Sequence, residues 1–131
     1  MSYNSRIMGI KVVYDQKKKE YIKGEAQWIE SNKILNTRVE RIKGDDKIII
    51  TTTEGLFFYN TLVDNFTNLM SELENFEYAD RGVVVNLAHD LTLDIDKRMI
   101  IFEGYPEVTS TVGISRMSSI KKLIKKWVLG K

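Results

Sequence analysis

The chain has 131 residues, 43% of them hydrophobic and 29% charged, the composition of an ordinary globular domain long enough to bury a core. With no cysteine, disulfide frameworks, thiolate chemistry and zinc knuckles are excluded. The 20 basic and 18 acidic residues net only +2, yet residues 116–131 hold six basic side chains and no acidic one, so the first 115 residues net −4.

No apolar run reaches the roughly 18–20 residues that cross a bilayer. The first residues lack the basic-then-apolar pattern of a signal peptide. A cytoplasmic protein is therefore the expectation. One proline and eight glycines leave no low-complexity linker, and residues 1–131 are expected to form a single domain, with 1–6 frayed.

Residues 7–14 are β-branched and aromatic, a strand. Asp15, Gln16 and the run Lys17-Lys18-Lys19 break it as a charged turn, most often solvated and only secondarily a phosphate contact. Residues 21–29 read as a strand interrupted at Gly24, and 34–42 as a half-exposed strand. After the loop Lys43-Gly44-Asp45-Asp46, residues 47–53 form a strong strand, Glu54-Gly55 a turn, and 56–59 the return strand. The period then changes from 2 to 3.6. Leu62, Val63, Phe66, Leu69, Met70 and Leu73 share one face of a helix over 61–73, and Thr61 with Asp64 suggests a capping box.

Residues 75–80 lead into an apolar strand over 81–87, and Ala88-His89-Asp90 turn the chain. Strands follow at 91–96, 98–104 and 108–115. Asp94 and Asp96 fall on one face of the first of these, a pattern that solvent-facing acids give more often than a metal site. At the end, Ile120, Leu123, Ile124, Trp127 and Val128 recur with helical spacing, opposite Lys121, Lys122, Lys125 and Lys126. Ser115 or Ser118 is the expected cap and Gly130 the stop. Phe57, Phe66, Val84 and Trp127 are the expected core. The fold class is thus mainly β: stacked antiparallel sheets of about eight or more strands with two short helices.

The basic terminal element is the footprint of a polyanion-facing surface. The same residues also fit a solvated amphipathic helix packed on a core, and, with lower rank, a helix lying on a membrane surface. Nothing supports an enzyme. His89, the one histidine, falls in a turn, and no phosphate loop, nucleophile elbow or metal-ligand cluster is present. No cofactor or metal is implied.

Over residues 34–128 the order of elements resembles the LytTR DNA-binding domain. The matching pieces are Tyr59-Asn60-Thr61-Leu62, the stretch from Phe76 to Arg81, Val84-Val85-Asn86-Leu87, and Ile114-Ser115-Arg116 ahead of Ile120-Lys121-Lys122-Leu123. The resemblance implies that loops, rather than a helix-turn-helix, enter successive major grooves. Arg116 falls on the base-contacting arginine before the last helix, Arg81 in a second contacting loop, and Lys47 with Asp46 near the third. Lys121, Lys122, Lys125, Lys126, Ser115 and Ser118 would hold phosphates.

Where the family commonly has His-Arg-Ser and an aromatic, this chain has Asp80-Arg81-Gly82-Val83. The expected function is sequence-specific duplex-DNA binding by a small standalone bacterial transcriptional regulator, of the kind that serves as a response-regulator output domain. A homodimer on repeated sites would fit it. The alternative is a protein-interaction module, or an antagonist of a related regulator, motivated by Asp45, Asp46 and Asp80. If those carboxylates surround Arg81 and Arg116, DNA binding is disfavoured.

Overall fold

The structure is a computed structural model and describes residues 6–59, 66, 70, 73–124 and 127–128. Two sheets carry the architecture. The larger has seven strands in the order β2-β1-β5-β4-β3-β7-β6, and the smaller has four in the order β10-β9-β8-β11. In chain order the strands are β1 (Arg6–Asp15), β2 (Glu20–Glu30), β3 (Ile34–Ile42), β4 (Asp45–Thr52), β5 (Gly55–Tyr59), β6 (Phe76–Asp80), β7 (Val83–Asn86), β8 (Leu91–Asp94), β9 (Met99–Phe102), β10 (Tyr105–Thr111) and β11 (Trp127–Val128). A 3-10 turn at Ile114–Arg116 leads into helix α1 (Met117–Leu123). Pairing is antiparallel except between β8 and β11.

The period of two sorts the large sheet's side chains onto two faces. Ile48 and Ile50 of β4 join Ile34, Phe57 and Val84 in one core, which Phe66 and Met70 complete. Ile49 points the other way, with Val12 and Phe58. The Ile-Ile-Ile run is therefore a central strand buried on both faces, which is why it lacks polar alternation. Nearer β6, Leu35, Ala79 and Val85 meet Leu93, Ile100 and Phe102 of the small sheet, and Ile120 and Ile124 seal that core. Asn36 stitches the two sheets by donating to Ser110 Oγ at 2.6 Å.

The first hairpin is bent. Its register shifts between Ile10 and Val12, and the strand continues beyond that irregularity to Asp15. The far half folds across the sheet, so that the Tyr21 ring packs edge-on to Phe58 at 5.2 Å and its hydroxyl donates to Glu40 at 3.1 Å.

Several elements differ from the sequence expectation. The terminal helix stops at Leu123, because Ile124 is extended (φ −98°, ψ 130°) and the following backbone pairs with β8. The Ile95 N–H donates to the Val128 carbonyl at 2.9 Å. Main-chain pairing thus outweighs the helical spacing of Trp127 and Val128, and Val128 is 46% exposed. Neither Ser115 nor Ser118 caps α1: Arg116 holds the N-cap position, without a side-chain cap bond.

Residues 76–80, read as a lead-in, form edge strand β6. Strand β10 starts earlier than expected and takes Pro106 at a sheet edge, where a missing N–H costs no ladder bond. Strand β8 ends at Asp94, so Asp94 and Asp96 do not share a strand face; the buried Asp94 carboxylate instead accepts the Lys97 N–H at 3.1 Å. In the expected helix over 61–73, Phe66 and Met70 are helical and buried, while its Thr61–Asp64 start lies outside the described residues.

Candidate nucleic-acid interface

Three chain reversals converge at one end of the large sheet. The first joins β3 to β4 through Lys43 and Gly44 alone, both at positive φ (51° and 86°), while Ile42 already pairs with Asp45. This is the tight two-residue hairpin turn that glycine permits. It draws Asp45, Asp46 and Lys47 into the ladder, so β4 starts two residues earlier than the expected strand over 47–53 and Lys47 sits half-buried in it opposite Glu40.

The second reversal, at residues 81–82, joins β6 to β7. Gly82 has φ +70°, and a Cβ there would lie 2.9 Å from Val39 Cγ2, which places this turn against β3. Arg81 is exposed at its tip. The third is the segment 113–116. The Gly113 N–H donates to the Ala79 carbonyl at 2.8 Å, and Arg116 Nε donates to the Tyr78 carbonyl at 3.0 Å. Arg81 and Arg116, distant in sequence, are thereby brought to one corner.

The Arg116 guanidinium is held at its Nε end, over the Tyr78 ring (5.8 Å to its centre), with Nη2 at 4.0 Å from Glu77. A side chain anchored this way has less rotamer freedom to lose on meeting a base edge. Tyr78 and Glu77 were not legible as site residues, because the key contact is a backbone carbonyl, which carries no sequence signature.

The acidic residues at this end are mostly engaged. Asp80 accepts the Arg81 N–H at 2.8 Å and the Thr111 hydroxyl at 2.8 Å, so both its oxygens brace the corner between the 81–82 turn and β10. Asp46 pairs with Arg41 at 3.4 Å, Glu40 with Arg38 at 3.6 Å, and Glu20 with Lys43 at 3.8 Å. The carboxylates feared to surround the two arginines thus divide. Asp80 adjoins Arg81 as a bracing acceptor, the carboxylate beside Arg116 is that of Glu77, and Asp46 is paired with Arg41 on the β3–β4 hairpin.

At the opposite end, around the 53–54 turn, Lys33 and Lys11 are occupied as well. Lys33 bonds Glu54 at 2.5 Å, raising the Lys33 pKa and lowering that of Glu54 through the hydrogen bond and charge they share. Lys11 reaches the Glu54 carbonyl and lies over the Phe57 ring.

On α1, Ile120 is buried, and Ser118, Lys121 and Lys122 are exposed, as is Ser115 in the preceding turn. Lys125 and Lys126 lie outside the described residues. His89 Nε2 lies 2.7 Å from the Asn32 carbonyl, a surface tie remote from both arginines. Among the described residues no cluster of three or more His, Asp or Glu is arranged to hold a metal, and no helix is long and apolar enough to cross a membrane.

The fold is that of a LytTR-type DNA-binding domain. A LytTr DNA-binding domain from Bacillus cereus superposes with a TM-score of 0.56 at 14% identity, over 88% of this chain and 95% of that one. No protein-family model matches the sequence, and no curated protein does.

Proposed function

We propose that this protein is a small cytoplasmic regulator of transcription that binds duplex DNA sequence-specifically, as one domain, through the end of the large sheet. The observation that carries the reading is the convergence of Arg81 and Arg116 at one corner by the Gly113–Ala79 and Arg116–Tyr78 hydrogen bonds. In this reading Arg116 and Arg81 address base edges in the major groove, where a guanidinium fork bonds guanine O6 and N7 together. Lys47 reaches out from the adjoining strand. Ser115, Ser118, Lys121 and Lys122 line the flank toward phosphates. Lys125 and Lys126 continue the same basic run in sequence.

A second reading, protein recognition, is favoured by strand β2, an edge of the large sheet that leaves Ile22 and Trp28 43% and 60% exposed. A second copy or a related regulator would pair along that edge.

The test is a fluorescence titration of duplex DNA at about 50 and about 200 mM salt, with variants at two positions. Arg116→Ala is expected to cost about 1–3 kcal/mol on a selected site and much less on random sequence. Lys122→Ala is expected to weaken every sequence alike and to flatten the salt slope by about one unit. Equal losses on random DNA would remove the case for base readout by Arg116. No binding at the lower salt would leave the protein-partner reading.

A further inference from the structure

The sequence reads the lysine run at 17–19 first as a solvated turn and only secondarily as a phosphate contact, and the bent first hairpin carries it somewhere specific. Glu20, adjoining the run, meets Lys43 of the β3–β4 turn at 3.8 Å, and Tyr21 bonds Glu40 at 3.1 Å. The run therefore stands at the same end of the sheet as the Arg81 and Arg116 loops, reached through Val39, which touches Gly82. Straightened, the hairpin would point Asp15 toward the 53–54 end, since Ile10 pairs with Phe58 and Val12 with Leu56. The bend decides which end receives three positive charges.

The turn is built without using those charges. The Asp15 carboxylate accepts the N–H groups of Lys17 at 2.9 Å and Lys18 at 3.1 Å, and Lys19 takes a left-handed φ of 54°. Lys17, Lys18 and Lys19 are exposed and make no ion pair among the described residues. The neighbouring acids are spoken for: Asp15 by the turn itself, Glu20 by Lys43, Glu40 by Tyr21 and Arg38, and Asp46 by Arg41. The Asp15 carboxylate accepts only neutral N–H groups and keeps its charge, so with exposed Asp45 nearby two negative charges stand against three positive ones.

Resting on the DNA-binding reading above, we propose that Lys17, Lys18 and Lys19 form a phosphate clamp on the DNA backbone flanking the groove that Arg81 and Arg116 enter. From Val39 to Lys43 the strand advances about 13 Å at about 3.3 Å per residue. That equals about four base-pair steps of about 3.4 Å, the right order for reaching phosphates beside the contacted bases. The ligand is the sugar-phosphate backbone, so the clamp adds affinity and register without sequence preference.

The experiment compares the full chain with its Lys17→Gln/Lys18→Gln/Lys19→Gln variant and a triple Lys→Arg variant, on random and selected duplexes between about 50 and 200 mM salt. The Gln variant is expected to lose at least about tenfold in affinity on both DNAs and to flatten the log–log salt slope by about two to three units, while the Arg variant keeps the slope. Its melting temperature stays that of the wild type, since the side chains support no fold contact. A Gln variant with wild-type affinity and slope would overturn the clamp while leaving DNA binding standing. Lost affinity at an unchanged slope would overturn it too. A wild-type chain that binds no DNA at about 50 mM salt would overturn both readings together.

Discussion

At the scale of single residues, the interface depends on side chains that hold other side chains. Asp80 illustrates this. In sequence it is a carboxylate beside a candidate DNA-reading arginine; in space its oxygens take the Arg81 N–H and the Thr111 hydroxyl, tying the 81–82 turn to β10. Tyr21 has a comparable role for the lysine turn. Its phenol pKa is raised above the ordinary 10.0, first by burial and then by its hydrogen bond to the Glu40 carboxylate.

The sign of the consequence follows from linkage. A group whose folded pKa exceeds its unfolded value contributes stability that is complete below the unfolded pKa and is lost as pH rises through the folded one. Tyr21→Phe is expected to be less stable than wild type at neutral pH by about 0.5–1.5 kcal/mol, the net worth of one hydrogen bond. The gap should shrink above about pH 10, where the wild type's phenol ionises. Urea unfolding from pH 7 to 11 reads it, and a gap constant across that range would contradict the clasp.

At the scale of elements, the turns set the site. Turn 81–82 depends on Gly82, which combines φ +70° with contact to Val39 close enough that a Cβ would meet Cγ2 at 2.9 Å. Gly82→Ala is expected to lose about 1–2 kcal/mol of stability from the left-handed backbone, with crowding against Val39 adding to it. Equilibrium denaturation measures this, and a neutral substitution would mean that the turn adopts another conformation. The sequence pattern took Arg81-Gly82 as the start of the apolar strand, whereas the structure makes them the turn before it, and the place of that turn against β3 was not legible either. That placement comes from the pairing of Thr37 with Val84, a contact between strands nearly fifty residues apart. The last helix was half legible: Ile120 and Ile124 are core residues as their spacing suggests, whereas Trp127 and Val128 follow the same spacing and form a strand.

For the whole molecule, the core between the sheets fixes the corner where Arg116 sits. Val112, 2% exposed, plugs that core, and its N–H donates to the Arg98 carbonyl at 2.9 Å one residue before Gly113 bonds Ala79. Leu93 is fully buried at the centre of the same cluster. Leu93→Ala is expected to cost about 2–5 kcal/mol and to speed hydrogen exchange at the Val112 and Gly113 amides. Exchange at those amides unchanged relative to β4 would show that the two halves of the molecule open separately.

The sequence by itself determined the class of the fold and most of its strands, because alternation and β-branching act over a few residues and need no partner to be recognised. Its local pattern ran Arg81 into the following strand, which in the structure begins only at Val83, and the loop positions of Arg81 and Arg116 came from the resemblance in element order. What only the tertiary structure decided is which of these loops meet. The bend at Ile10–Val12 carries Lys17, Lys18 and Lys19 to the Lys43 end, the carbonyl of Tyr78 anchors Arg116, and pairing with β8 converts Trp127 and Val128 from helix to strand. Each is a main-chain contact or a long-range pairing, and the backbone's donors and acceptors are the same at every residue, so their partners are chosen by packing and leave no mark on the local pattern.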